Sequence, residues 1–245
     1  MPLLAGTSLL LLIIILTIMG NNAISRAARY SITQNERQAV QVLHLSSQPQ
    51  ATNTPLHWFR LDDGVMGGQS VTDNNSIVVL NEEECPTGDP ILHFTGTINT
   101  NGGGFCSIRA KLPPGTLATR VQGLKLRYRG DGKTYKVLLG TGERGGPFRR
   151  TPSWQCDLPT TKRHTDEPWD EVMIPFDQLR PSFGGGPRIQ PTDEERSKYV
   201  FDAASMQEIG LMLSLKLSDG RPNPPATFGT GIFDFALQVQ SIATY

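Results

Sequence analysis

An all-β fold, a sandwich of antiparallel sheets, is what this 245-residue sequence predicts. Three observations carry the prediction. Apolar and polar residues alternate with period two through most of the chain after Leu56. Turn-forming residues punctuate that alternation: 25 glycines and 18 prolines make up about 18 % of the chain, against about 12 % in an average protein. Apolar residues reach only 38 %, and one stretch alone in this region, DEERSKYVFDAASMQE (193–208), carries helical spacing. Strands with one apolar and one polar face pair as antiparallel sheets, and two such sheets bury their apolar faces against each other.

The elements follow in chain order. Residues 3–19 lie outside the pattern and are almost wholly apolar, centred on LLLLIIIL (9–16). A run of this length sits at the short limit for a membrane-spanning helix, about 17–25 residues, and exceeds the usual signal h-region of about 7–15. No Lys or Arg precedes it, while Arg26 and Arg29 follow. Residues 1–23 are therefore expected to be a signal-anchor or a cleaved signal peptide. Residues 24–55 form a polar linker ending in SSQPQATNTP, with a short amphipathic helix near 36–45. The domain proper covers 56–245. Strands are expected at 77–80, 91–98, 105–111 and 171–175. In GLKLRYRG (123–130), Leu124, Leu126 and Tyr128 face one way and Lys125, Arg127 and Arg129 the other. The pattern resumes with Tyr135, Val137 and Leu139 after Gly130-Asp131-Gly132, which reads as a β-hairpin. Later strands place Ile209, Leu211, Leu213, Leu215 and Leu217 inward, then Phe233, Phe235, Leu237 and Val239.

Composition excludes some functions. With 23 basic and 23 acidic residues the net charge is zero, which argues against a nucleic-acid binder. Cys85, Cys106 and Cys156 are far apart, without CxxC or a histidine at ligand spacing, so no metal is expected; they read as buried or half-buried thiols. GTGERG (140–145) matches a dinucleotide fingerprint in letters only, because no helix follows to present its amides. Arg129-Gly130-Asp131 spells an adhesion tripeptide, yet glycines around an aspartate are what a tight turn requires. Asn74-Asn75-Ser76 is a glycosylation sequon that matters only on a lumenal face. No G-x-S-x-G elbow and no opposed carboxylate pair assembles, so catalytic residues and cofactors are not expected.

Two stretches are candidate binding surfaces. Between residues 120 and 150, nine Lys/Arg stand against Asp131 and Glu143. On a hairpin, Lys125, Arg127, Arg129, Lys133 and Lys136 would share the solvent face and dock an acidic partner or phospholipid headgroups. The second is LDDGVMGGQS (61–70). Asp62 and Asp63 would diverge along an extended chain, so they are not an acid–base pair; they either bond to the loop's amides or face a partner. Gly64, Gly67 and Gly68 allow a tight crossing, with Val65 and Met66 between them and one of the two in the core. On this reading Gly67→Val impairs folding.

Six segments together resemble one family, the complex I intermediate-associated protein 30 family. They are W-x-x-x-D-D-G-V-M-G-G-x-S (58–70), F-T-G-T-I (94–98), N-G-G-G-F-C-S-I-R (101–109), R-G-D-G-K-T-Y-K-V (129–137), W-D-E-V-M-I-P-F (169–176) and F-A-L-Q-V-Q-S-I (235–242). Within them Trp58, Gly64, Met66, Gly67, Gly68, Ser70, Gly103, Gly104, Phe105, Asp131, Gly132, Tyr135, Trp169, Pro175 and Phe176 carry the likeness. The resemblance implies a galactose-binding-like jelly-roll sandwich. It also implies a non-enzymatic, chaperone-like assembly factor for respiratory NADH:ubiquinone oxidoreductase, whose partners are subunits or intermediates of that membrane complex. No catalytic residue is implied. A mitochondrial address follows by resemblance, but the apolar N-terminus departs from an Arg-rich presequence and points to membrane attachment through residues 1–23. The alternative on the same fold is an extracytoplasmic carbohydrate-binding module. Trp58, Trp154 and Trp169 would be its stacking platforms, although Trp58 and Trp169 each begin a strand and are expected in the core.

Overall fold

The computed structural model describes residues 56–73, 91–112, 116–117, 121–141, 152–164, 166–183, 192, 194 and 197–245. The apolar run at 3–19, the linker helix at 36–45, the strand at 77–80, the sequon, Cys85 and most of GTGERG lie outside them. Among the described residues no helix is long and apolar enough to cross a membrane.

Eleven strands are described: β1 (Trp58–Arg60), β2 (Val71–Thr72), β3 (Leu92–Asn99), β4 (Phe105–Lys111), β5 (Gly123–Arg129), β6 (Thr134–Gly140), β7 (Ser153–Pro159), β8 (Asp170–Pro175), β9 (Arg180–Ser182), β10 (Glu208–Ser214) and β11 (Ile232–Thr244). They form two antiparallel sheets, ordered β1-β4-β10-β6-β7-β9 and β2-β3-β11-β5-β8. A short helix, α1 (Pro225–Phe228), precedes β11. The result is an all-β sandwich, with β3, β5 and β11 contributing Phe94, Leu126 and Leu237 to one core and β4, β6 and β10 contributing Ile108, Val137 and Leu211. An aromatic cluster clamps the layers: Phe94 and Phe235 of one sheet meet edge to face at 4.8 Å, and Tyr135 of the other stands 6.1 and 6.4 Å from them. Burial pushes the Tyr135 hydroxyl well above its ordinary pKa, and that hydroxyl donates to Asp131 Oδ1 at 3.0 Å.

Three expectations are corrected. The runs around Gly130-Asp131-Gly132 are not a hairpin, because β5 and β6 belong to different sheets and the turn crosses the sandwich. Strand β10 ends at Ser214, and Leu215 is exposed rather than inward, although its backbone N–H still donates to Gly104 O in register with β4. The helical segment expected at 193–208 is interrupted: Glu194 and Ser197 are helical, Tyr199–Asp202 are not, and Ala203–Ser205 makes one 3-10 turn before Glu208 enters β10.

Candidate functional site

The segment LDDGVMGGQS forms one end of the sandwich. After β1, Leu61 N donates to Ser107 O, and the chain turns through a 3-10 turn, Asp63–Met66. The two aspartates diverge, as extended backbone at Asp62 requires. Asp62 accepts from Thr72 N at 2.9 Å and Thr72 Oγ1 at 2.6 Å. Asp63 is sealed from solvent and accepts four hydrogen bonds, from Ser70 N (2.9 Å), Ser70 Oγ (2.6 Å), Gly104 N (2.6 Å) and Phe105 N (3.2 Å). Burial pushes the Asp63 carboxyl up, but the bonds from Ser70, Gly104 and Phe105 outweigh it and hold the pKa below the ordinary carboxylate value. Both aspartates are thus engaged within the chain and tie the loop to β2 and β4.

The glycines make room for this carboxylate. A Cβ at Gly68 or at Gly103 would collide with the Asp63 side chain. Gly67 differs: its φ is +87°, the left-handed region, with open space around it. Gly67 is thus held to glycine by its positive φ and Gly68 by its close approach to the carboxylate. With the carboxylate occupying the interior of the turn, both apolar residues point outward. Val65 is 69 % and Met66 58 % exposed, correcting the expectation that one enters the core. Further apolar side chains exposed at this end include Leu215, whose methyls lie over Gly104, and Ile232, whose neighbour Gly231 accepts from Thr100 N. Ile232 was legible in the sequence, since it shares the phase of the outward-facing Asp234 rather than that of Phe233 and Phe235. The exposure of Val65 and Met66 left no such signal.

The basic segment is divided. Lys125, Arg127 and Arg129 stand on β5 in the five-stranded sheet, Lys133 lies in the crossover, and Lys136 lies on β6 in the other sheet. Lys125 pairs with Glu171 at 2.7 Å and Lys133 with Asp131 at 2.9 Å. Arg127 is exposed. Arg129 lies 4.2 Å over the Trp169 ring, with Nε and Nη1 buried and without hydrogen-bond partners. Lys136 is 6 % exposed, and burial drives its pKa down to about 8 against a weaker opposing pull from Asp157. Asp131 is a pin rather than an adhesion group: it also accepts from Lys133 N (3.1 Å) and Ala236 N (3.0 Å), joining the crossover to β11. Trp58 and Trp154 are core residues, and Trp169 is half-buried beneath Arg129, so none offers a bare stacking face. Pro175 and Phe176 close β8, with Phe176 buried. Cys106 is a buried free thiol and Cys156 a half-buried one. Among the described residues no three His, Cys, Asp or Glu side chains gather as a metal site.

Fold and site together define a β-sandwich with an aspartate-pinned loop that displays apolar side chains at one end. The chain belongs to the complex I intermediate-associated protein 30 (CIA30) family, whose model matches residues 46–239. No curated protein matches it. Among solved structures, a family 11 carbohydrate-binding module from Clostridium thermocellum in complex with a β-1,3-1,4-mixed-linked tetrasaccharide is similar at 14 % identity and TM-score 0.42, covering 75 % of this chain and 88 % of that one. The family 11 module of the cellulosomal cellulase Lic26A-Cel5E of Clostridium thermocellum gives 12 % identity and TM-score 0.44, covering 77 % and 89 %. At this level of similarity neither bears on what this chain binds.

Proposed function

We propose that this protein is a non-enzymatic, chaperone-like assembly factor that holds intermediates of a membrane protein complex, respiratory NADH:ubiquinone oxidoreductase by family. Family membership supports the class of partner. The observation that carries the reading is the apolar end formed by Val65, Met66, Leu215 and Ile232. Unfinished membrane complexes expose apolar surface that later subunits cover, and a rigidly held apolar tip is complementary to such surface. The four hydrogen bonds on Asp63 supply the rigidity, which keeps the entropic cost of binding low. Lys125, paired with Glu171, and the exposed Arg127 stand opposite Ala243 and Ser241, toward the other end of the five-stranded sheet, and are not part of this tip. Within this reading the sandwich is a galactose-binding-like jelly-roll, and residues 1–23 hold the domain at a membrane, mitochondrial by family. A carbohydrate-binding module on this fold would have no bare stacking face at Trp58, Trp154 or Trp169.

Affinity purification of the tagged full chain from detergent-solubilised mitochondrial membranes, followed by mass spectrometry, tests the reading. Enrichment of membrane-complex subunits is the expected result. Recovery of none, alongside retention on a glycan array, would overturn it in favour of the carbohydrate module.

A further inference from the structure

The opposite end of the sandwich carries a second feature. Strand β11 runs from Ile232 at the apolar tip to Thr244, about 40 Å away at roughly 3.3 Å per residue. There, an open cavity of about 710 Å³ lies between the start of β5, the end of β8 and the segment 201–203. That volume is within the range of about 300–1,000 Å³ common to ligand sites.

Its lining has a consistent chemistry. Phe176, Phe201 and Tyr245 supply three aromatic rings, and Phe201 is fixed by contacts to Phe176 (4.8 Å, 54°) and Trp154 (5.3 Å, 80°). Asp177 and Asp202 supply two carboxylates, both on exposed residues, and among the described residues the lining holds no Lys, Arg or His. Neither aspartate has a cationic partner among the described residues; the Asp202 carboxylate accepts from Ala204 N at 3.0 Å. Asp177 and Tyr245 line the same cavity, and burial and then the Asp177 charge raise the Tyr245 hydroxyl. Three other acids are neutralised within the chain: Glu171 by Lys125, Asp170 by Arg163 and Asp219 by Arg221. Aromatic faces together with unpaired carboxylates favour a cation carried on an apolar stem, because the rings cover the methylenes while the carboxylates hold the charge.

We propose that this cavity receives a lysine or arginine side chain from a partner protein. It gives the proposed assembly role a second contact, on that reading, and predicts that the partner segment is basic. Titration of the ¹⁵N-labelled chain with acetyl-Gly-Lys-Gly-amide is the test, with the norleucine peptide as the uncharged isostere and tetramethylammonium as a free cation. Saturable shifts at Phe201, Asp202, Ala203 and Tyr245 are expected with the lysine peptide and not with norleucine. Asp177→Asn with Asp202→Asn is expected to weaken binding by about fivefold or more, the size expected when exposed charge pairs are lost. Asparagine retains the acceptor for Ala204 N, so the fold is kept. Equal shifts from the norleucine peptide, unchanged affinity in the double variant, or tighter binding of tetramethylammonium than of the lysine peptide would each overturn the proposal. The peptide needs no assembly intermediate, so its failure is separable from failure of the purification above.

Discussion

Replacing Asp63 with asparagine changes one atom and tests the construction of the apolar end. The carboxylate accepts four hydrogen bonds while sealed from solvent. An amide has one acceptor oxygen. Its least costly orientation keeps that oxygen on Ser70 Oγ, Gly104 N and Phe105 N, and turns its NH2 onto Ser70 N, setting donor against donor. A buried donor left unpaired costs about 1–3 kcal/mol, and each bond that loses its charged acceptor weakens by roughly 0.5–1 kcal/mol. The sum is about 3–5 kcal/mol, which for a domain of this size lowers Tm by about 6–20 °C. Asp62→Asn retains an acceptor for Thr72 in a half-exposed setting and is expected to cost about 1 kcal/mol. Scanning calorimetry of both variants measures the difference. The sign with pH is also fixed. A carboxyl whose folded pKa is depressed contributes stability above its unfolded pKa, near 3.9, and loses it as pH falls through the folded value. The Asp63→Asn variant is therefore expected to show a shallower loss of stability below about pH 4 than the wild type. A Tm within about 2 °C of wild type would refute the reasoning.

Lys136→Met removes an almost buried ammonium whose folded pKa, about 8, lies below its unfolded value. The wild type is expected to gain stability as pH rises from about 8 to about 10.4, by about 3 kcal/mol in full, whereas the variant is expected to be more stable at pH 7 and flat across that window; equal pH slopes in urea melts would contradict this. Gly68→Ala is expected to cost more than Gly67→Ala, about 2–3 against 1–2 kcal/mol, since one forces a Cβ into the Asp63 carboxylate and the other pays only for its positive φ. Reversal of that order in denaturant midpoints would be the contrary result. Trp169→Leu removes the ring beneath Arg129, and faster hydrogen exchange at β5 and at the start of β8 is expected because the buried Nε and Nη1 have no hydrogen bond to replace it. Unchanged exchange there would show the stacking to be incidental.

Strand parity was legible because burial on one face follows a period of two. Leu124, Leu126, Tyr128, Tyr135, Val137 and Leu139 are all buried. What the alternation left open was which sheet each strand joins. A Gly-Asp-Gly turn that returns as a hairpin and one that crosses a sandwich look alike locally; the partner that distinguishes them, Ala236, is 105 residues from Asp131. The basic face depended on that hairpin, so Lys136 separated from Lys125 once the strands did. At the apolar end, divergence of Asp62 and Asp63 followed from backbone geometry. Which side chain turned inward did not, because apolar residues are expected inside, and here a carboxylate with four donors took the interior from Val65 and Met66. The cavity at Phe201 and Tyr245 joins segments distant in the chain, and no spacing announces it.

Replacing Val65 and Met66 together with serine removes the apolar tip while leaving the core untouched, because both side chains are mainly in solvent. The direct measurement is the yield of membrane-complex subunits co-purified with this variant relative to wild type, from the same membranes and with Tm measured in parallel. An assembly factor that grips its intermediates through this end is expected to lose at least about tenfold in recovered subunits, with Tm within about 2 °C of wild type, since apolar hot-spot residues carry roughly 1–2 kcal/mol each. Undiminished recovery by the folded double variant would contradict the account.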